Sequence, residues 1–227
     1  MRLLSVLGAS QALCDHLVRH PDQWLELRDP LLGSTRPTAQ AVRAGLLDRI
    51  HREIDHHREG RPARIRFKVN SLVDEAIADA LYRASRAGVE VHLWTRGICT
   101  LRPGVPGMSD NITVRSVLGR FLEHSRIFWF ENGGEPQAWI GSADLMHRNL
   151  DRRVEVLVQI PTLGHVRDLG ELLDLGFDEG TSAWQLHSDG TWERHHLGPH
   201  GEPLVDLQAA LIAKHRRRRE AASAARR

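Results

Sequence analysis

Cysteine is scarce in this sequence, since the 227 residues include only Cys14 and Cys99. The two lie far apart, and neither belongs to a CxxC or Cys/His spacing. This argues against a disulfide framework and against a zinc site built on thiolates. We therefore expect two reduced thiols.

Long apolar runs are also missing. No stretch approaches the roughly 18 consecutive apolar residues of a membrane-spanning helix. The first apolar stretch meets charged residues too early for a signal peptide. With 41% hydrophobic residues, the chain can still bury the core of one full domain. These features predict a globular, cytoplasmic protein with no membrane partner.

A large net charge is absent too, because 31 basic and 29 acidic residues leave a formal charge of +2. The placement of the basic residues is more informative, since they crowd the segment 96–153 and the run 214–219. Such clustering is typical of a surface that meets an anion. The run 214–219 alone is explained by a solvated helix end, so we expect no specific nucleic-acid partner.

Residues 42–219 carry alternating strand and helix patterns. RIRFKV, DEAIADALYRASRAG and VEVHLW read as strand, helix and strand, which predicts a βαβ unit with parallel strands. Further strands are predicted at ITVRSV, RIFWFE, QAWIGS and RRVEVLVQI, further helices at 42–60, 166–180 and 204–219, and a hairpin turned at Asp189 and Gly190. The pattern indicates an α/β sandwich.

Domain boundaries follow from changes in composition. Residues 1–32 have apolar residues at helical spacing, and residues 33–41 read as a linker. The main domain is expected to span 42–219. Residues 220–227 form a basic tail without apolar periodicity, which we expect to be disordered.

The stretch RFLEHSRIFWFENGGEPQAWIGSAD, at 120–144, is the richest in chemistry. His124 and Arg126 share a side if the strand has begun, and the turn at 132–134 sends Gly141 and Ser142 back towards the histidine. Imidazole can transfer a proton or attack phosphorus near neutral pH. Guanidinium groups, and a Gly-Ser corner with exposed N–H groups, bind phosphate oxygens. The stretch indicates phosphate chemistry, although a lone HxR pair also occurs in ordinary hairpins.

Two histidine groups elsewhere could be drawn as metal ligands. They are His56 with His57, and His195 with His196 and His200. Neither group has a carboxylate or cysteine at a recognised spacing. We interpret them as solvated histidines and predict no metal site.

Several motifs resemble those of one enzyme family. FKVNS at 67–71, RGIC at 96–99, LRPGVPG at 101–107, VRSVLGRFLEHSR at 114–126, GSAD at 141–144 and RNLDRR at 148–153 closely resemble the last domain of type 1 polyphosphate kinases. The resemblance extends over 42–219. It implies a phospholipase D-like α/β/α sandwich with a mixed sheet.

The resemblance also implies an activity, the reversible transfer of the terminal phosphoryl group of ATP to inorganic polyphosphate, with Mg²⁺ and a phosphohistidine intermediate. By this resemblance His124 acts as general acid/base and contacts nucleotide phosphate, and Arg96 binds ATP. Extending the resemblance with more caution, we expect a lining for polyphosphate from Arg102, Arg115, Arg120, Arg126, Arg148, Arg152 and Ser142.

The family builds its site from two similar halves, each with a histidine, and this chain resembles one half. The histidine that becomes phosphorylated and the magnesium-binding arginines belong to the other half, so no metal ligand is expected here. The expected partners are ATP or ADP and polyphosphate, with either the missing kinase domains or a second copy of the chain. Two alternatives stay open: a noncatalytic polyphosphate-binding module, and a homodimeric phospholipase D-like phosphodiesterase, against which HxR in place of HxK counts.

The head of the chain resembles a different family. Residues 3–30, with LGAS at 7–10 and DHLVRHP at 15–21, are similar to a helical segment of glutamine synthetase adenylyltransferases. No nucleotidyl-transfer motif accompanies the segment, so that activity is not carried over. The segment is either a natural fusion or the product of a wrongly drawn gene model.

Overall fold

One eight-stranded sheet forms the centre of the described part of the fold. The computed structural model describes residues 39–224. The sheet order is β6-β5-β4-β1-β2-β3-β7-β8, with β1 (Arg64–Val69), β2 (Glu90–Thr95), β3 (Ile112–Ser116), β4 (Arg126–Phe130), β5 (Gln137–Gly141), β6 (Leu157–Gln159), β7 (Ala183–Leu186) and β8 (Trp192–His195). Strands β1 to β3 are parallel and the other neighbouring pairs are antiparallel. The predicted mixed sheet is therefore confirmed.

Helices cover both faces of this sheet. They are α1 (Ala39–Arg58), α2 (Glu75–Arg86), α3 (Leu163–Phe177) and α4 (Leu207–Ala224). α1 and α2 pack on one face through a core that includes Ile50 and Leu81, while α3 and α4 pack on the other through Leu173 and Leu207. Within residues 39–224, no helix is long and apolar enough to cross a membrane. The α/β/α layering is confirmed.

The central strand β1 shows how the sequence fixes the two layers. Ile65 and Phe67 are fully buried on the α1/α2 side, and the Phe67 ring lies edge-on to the ring of Phe128, with centroids 5.1 Å apart. Alternate residues of a strand face opposite sides, so Arg66 and Lys68 face the α3/α4 side, where both are buried. A strand buried on both faces thus carries two cations in the second layer.

Most strand ends that bear functional loops meet at one edge of the sheet, which we call the carboxyl edge. It is formed by the ends of β1, β2, β3 and β5 and the starts of β4, β6 and β7. The register places Arg126 opposite Gly141, Gly141 opposite Leu157 and Ser116 opposite Trp184. The hairpin thus returns the GSAD motif to the histidine end, as predicted. The turn between β7 and β8 lies at the opposite edge.

Two local predictions need correction. RRVEVLVQI, at 152–160, forms a strand only over Leu157–Gln159, because Arg152 ends the π-helical turn Arg148–Arg152 and the residues Glu155 and Val156 bind Ser142 instead of extending the strand. The tail was expected to be disordered from residue 220, but α4 continues to Ala224. Its end, EAASA, is rich in alanine, the best helix former.

The predicted domain boundaries stay predictions. α1 begins at Ala39, inside the predicted linker 33–41, and Ala39 is also the first residue of the second of two units into which the chain divides. The helical segment predicted over 1–32, with its resemblance to adenylyltransferases, lies outside the described residues, as do residues 225–227 and Cys14. Cys99 is a free thiol, and burial raises its pKa to about 11.

A buried carboxyl group joins α1 to the sheet. Glu53 is 1% exposed, and its two oxygens accept the backbone N–H groups of Arg64, at 2.9 Å, and of Asn132, at 2.7 Å. Burial raises the pKa of Glu53 from 4.5 to about 7, although both N–H bonds act in the opposite direction. Glu53 therefore titrates near neutral pH inside the folded protein.

This titration predicts a pH-dependent stability. Between pH 4.5 and about 7, the folded state holds a proton on Glu53 that the unfolded chain has released. The contribution of Glu53 to the free energy of unfolding should therefore be full below that window and be lost as the pH rises through it. Measured by urea unfolding as the pH rises across this range, the free energy of unfolding of Glu53→Gln should decrease less than that of the unsubstituted chain. The exposed Glu59, changed to Gln, is the control, and an equal slope in all three proteins would contradict the prediction.

Candidate phosphate-binding site

His124 lies at the carboxyl edge, in the loop 117–125 between β3 and β4, and is exposed. The guanidinium Nη1 of Arg126 lies 3.1 Å from its ring Nδ1 and donates to its backbone carbonyl at 2.9 Å. β4 begins only at Arg126, so the two residues do not share a strand face. They are brought together by this contact instead. An imidazole open to solvent beside a cation is suited to meet a phosphate group.

Lys68 supports both chain neighbours of His124 from within the sheet. Its ammonium is 2.8 Å from Ser125 Oγ and 2.9 Å from Glu123 Oε2, and it lies over the Trp94 ring, 4.8 Å from the centroid. Burial lowers the pKa of Lys68, and the bond to Glu123 acts against that lowering. A buried ammonium with these partners fixes the backbone on each side of the histidine.

Two further side chains hold the same loop. Arg96 donates from Nη1 to the Glu123 carbonyl at 2.7 Å. Gln208, on α4, accepts the N–H of Phe121 at 2.7 Å and donates to Phe121 O at 2.8 Å and to Glu123 Oε1 at 2.7 Å. The loop is therefore fixed by β1, by the residue after β2, and by α4. These hydrogen bonds fix the backbone position of His124.

A second polar network lies below Arg126. Asp144 is 5% exposed, and its carboxylate accepts Arg126 Nη2 at 2.9 Å, the N–H of Asn70 at 2.8 Å and Asn70 Nδ2 at 3.1 Å. Burial by itself raises the pKa of Asp144, but the hydrogen bonds from Arg126 and Asn70 outweigh it and hold the pKa below its ordinary value. The pair orients the guanidinium that reaches His124.

Ser142 does not offer the free donors that the sequence predicted. Its hydroxyl is hydrogen-bonded to the Glu155 carboxylate and accepts the N–H of Val156, and its own N–H donates to Val156 O at 3.1 Å. The segment before β6 closes the Gly-Ser corner, and a Cβ on Gly141 would collide with Val156 O. The corner is a structural junction, because its polar groups are already satisfied.

Three of the predicted lining arginines lie in loops at the carboxyl edge with exposed side chains. They are Arg120 in the His124 loop, and Arg148 and Arg152 in the π-helical turn. Within residues 39–224, no side-chain hydrogen bond or ion pair joins Arg148 or Arg152 to another side chain, and the guanidinium of Arg120 lies over the ring of Phe121. Their charges therefore remain available to an anion.

Two other predicted arginines, Arg102 and Arg115, have different surroundings. A Cβ on Gly190 would collide with the Arg102 guanidinium, so Arg102 lies against the turn at the opposite edge. Arg115 donates to Gln185 Oε1 at 3.2 Å and to Asp178 O at 3.0 Å. Both were expected to line a polyphosphate path. Loop 96–111 carries Arg102 to the opposite edge, whereas Arg115 lies near the carboxyl end of β3 with its guanidinium bound to Gln185 and to the backbone of Asp178.

The positioning residues were missed at the sequence level. Lys68, Asn70 and Asp144 lie in the FKVNS and GSAD motifs, but no role was assigned to them. RIRFKV has a basic residue at every second position, a pattern typical of a solvent-facing side, so no local signal in the sequence showed that Lys68 is buried and needs partners. Gln208 lies 87 residues from Phe121 in the chain, and no sequence pattern links the two.

The described part of the chain is thus an α/β sandwich with an exposed histidine beside a cation on one edge of its sheet. Residues 37–205 match the profile named Polyphosphate kinase C-terminal domain 2, so the chain belongs to that family. It is 60% identical over 184 residues to the polyphosphate kinase of Streptomyces coelicolor, a match that covers 81% of this chain and 25% of the relative. The chain thus spans about a quarter of the length of that relative.

A solved structure agrees with this assignment. The polyphosphate kinase from Porphyromonas gingivalis superposes with a TM-score of 0.73 at 34% identity, covering 78% of this chain and 27% of that one. A phospholipase D family member from Salmonella typhimurium gives a TM-score of 0.48 at 16% identity. The second similarity is too low to support a conclusion about activity.

The Arg126–Asp144 pair should be important for stability. Asp144→Asn leaves the largely buried Arg126 without a counter-charge, which we expect to lower the free energy of unfolding by about 3 kcal/mol. Because the pKa of Asp144 is lowered, the contribution is present above its ordinary value of 3.8 and is lost in more acidic solution. Urea unfolding near neutral pH measures the effect. Asp168→Asn, which removes an exposed contact with Arg218 at 3.7 Å, should cost less than about 1 kcal/mol; equal losses would contradict the account.

Proposed function

We propose that this chain supplies one half of a cytoplasmic polyphosphate kinase site, at which the terminal phosphoryl group of ATP moves reversibly to the end of a polyphosphate chain. The observation that carries the proposal is the exposed His124, held by Lys68 through both of its neighbours and contacted by Arg126. Family membership over residues 37–205 supports the same reaction.

His124 would act on the proton of a phosphoryl oxygen. In phosphoryl transfer the protein contributes mainly position and charge stabilisation, because the group passes through a loose transition state. An imidazole at a fixed place can donate a proton to the departing oxygen in one direction and accept it in the other. The contacts of Lys68, Arg96 and Gln208 with the loop 117–125 support this role, because proton transfer requires the imidazole at a fixed position.

The arginines would neutralise the anionic substrates. Arg126 reaches the histidine with one side of its guanidinium while Asp144 holds the other. Arg96 uses Nη1 to hold Glu123, which leaves its remaining donors for nucleotide phosphate. Arg148 and Arg152 carry exposed charges on the same edge, and guanidinium groups bind phosphate oxygens in a bidentate manner. We assign the polyphosphate path to the part of the carboxyl edge that carries Arg148 and Arg152.

Magnesium has no ready ligand among the carboxylates beside His124. Glu123 is bound to Lys68 and Gln208, Asp144 to Arg126, and Glu155 to Ser142. The described residues near the histidine therefore do not fit a resident Mg²⁺ site. We propose that Mg²⁺ arrives with ATP, bound to its phosphates.

A complete site would need a second protein surface. Large apolar side chains are exposed in the loops around His124, with Ile98 at 61%, Phe121 at 58% and Leu122 at 73%. Exposed apolar groups grouped at a functional edge favour contact with protein. We propose that the other half of the site comes either from the remaining length of a full kinase or from a second copy of this chain.

A noncatalytic binding module is the second candidate function. It is favoured by the exposed arginines, which can hold polyphosphate whether or not a second histidine is present. The phosphodiesterase alternative is weaker, since Arg126 is committed to Asp144 and does not offer the free lysine of an HxK motif.

A turnover assay tests the kinase proposal. The purified chain, alone and mixed with the remaining length of a full kinase, is incubated with ATP, Mg²⁺ and polyphosphate, and the formation of ADP and the length of the polyphosphate are followed. His124→Ala should lower turnover by about 100-fold or more, as expected for the loss of a general acid/base. His196→Ala, which changes an exposed histidine outside the site, should not. Turnover that survives His124→Ala would exclude the assigned role.

Polyphosphate retention on a filter, measured in the same samples, separates the two candidates. Retention without turnover would support the binding module, and the double change Arg148→Ala with Arg152→Ala should then weaken it. Arg102→Ala removes one positive charge at the opposite edge and should leave retention unchanged. A chain that neither turns over ATP nor retains polyphosphate would contradict both candidates.

A further inference from the structure

The outer hairpin of the sheet brings together two histidines and a carboxylate that the proposed function does not use. Gln185 on β7 lies opposite Glu193 on β8, and directly opposed residues of paired strands share a face. His187 follows Gln185 by two positions, and His195 follows Glu193 by two, so each lies on the same face as its neighbour. The three polar side chains therefore project together from one side of the hairpin.

The ligand atoms of this group lie close enough together to reach a single ion. Glu193 Oε2 lies 2.9 Å from His187 Nε2 and 3.5 Å from His195 Nε2, and one ligand atom from each of the three residues lies within 4.8 Å of the others. A tetrahedral zinc ion with bonds of about 2.1 Å separates its ligand atoms by about 3.4 Å. Small side-chain rotations would complete that geometry.

The chemistry of the group selects the class of ion. Imidazole nitrogens with one carboxylate suit zinc and similar transition metals, whereas Mg²⁺ and Ca²⁺ prefer oxygen ligands. The side chains of His187, Glu193 and His195 are 41%, 61% and 48% exposed, so an ion can enter and solvent can supply a fourth ligand. We propose that these three residues bind Zn²⁺ or a similar borderline divalent ion.

Such an ion would join β7 to β8 near the edge of the sheet. On the opposite face of the hairpin, Leu186 and Trp192 pack against the core. The ion would therefore link the two strands on the face that does not pack through Leu186 and Trp192. The sequence predicted His195 to be a solvated histidine without a partner. The structure gives it Glu193 two residues earlier and, across the turn, His187.

Calorimetric titration of the full chain with ZnCl₂ tests the site, with CoCl₂ absorption as a probe of coordination geometry. His187→Ala and Glu193→Gln should each weaken zinc binding at this site by more than about tenfold. Even the mutation of residues that only hydrogen-bond to metal ligands often lowers metal affinity about tenfold or more. His196→Ala, which removes an adjacent exposed histidine, should leave the affinity unchanged. Zinc should also raise the Tm of the unsubstituted chain more than that of His187→Ala.

Three outcomes would overturn the proposal. They are an unchanged affinity in both ligand variants, an equal loss in His196→Ala, and a rise in Tm with zinc that is the same in His187→Ala. Circular dichroism without metal shows whether each variant is folded. If His187→Ala is not, Glu193→Gln keeps the side-chain shape while removing the charge, and it decides the question alone.

Discussion

The buried ammonium of Lys68 is the interaction on which the candidate site depends. This side chain is buried on β1, and the burial lowers its pKa. The loss of hydration is compensated by the Glu123 carboxylate, the Ser125 hydroxyl and the face of the Trp94 ring. A buried charge is tolerated only when such partners are held in place. Because both oxygen partners flank His124, satisfying the charge also fixes the histidine. The stability of the core and the geometry of the edge are thus linked through one residue.

The Arg126–Asp144 pair extends the same logic to the neighbouring strand. Asp144 holds the guanidinium and the backbone of Asn70 together, so the ends of β1 and β5 and the start of β4 are locked in one arrangement. What remains open at the edge is an imidazole and a set of solvated arginines. The inner charges are neutralised in pairs and the outer ones are not, which is the arrangement expected of a preorganised anion site.

The sequence predicted the layers of the fold better than the details of the site. The βαβ unit, the strands RIRFKV and RIFWF, and the turn at Asp189 and Gly190 all follow from local periodicity and turn chemistry, and all are found. The hydrogen bonds of Ser142 and Arg115 could not be predicted, because their side-chain partners lie in the segment before β6 and in β7, and local patterns do not reveal such pairings. Gln208 could not have been found, since only the packing of α4 brings it to the loop. Buried polar side chains are thus the part of the site that sequence periodicity leaves undetermined.

Hydrogen–deuterium exchange of the loop 117–125 in Lys68→Met tests the central claim most directly. Methionine keeps much of the length of the lysine side chain but cannot bind Glu123 or Ser125. The account predicts faster exchange in this loop, with the protection of β1, β2 and β4 retained. Unchanged protection of the loop would contradict the view that Lys68 positions His124.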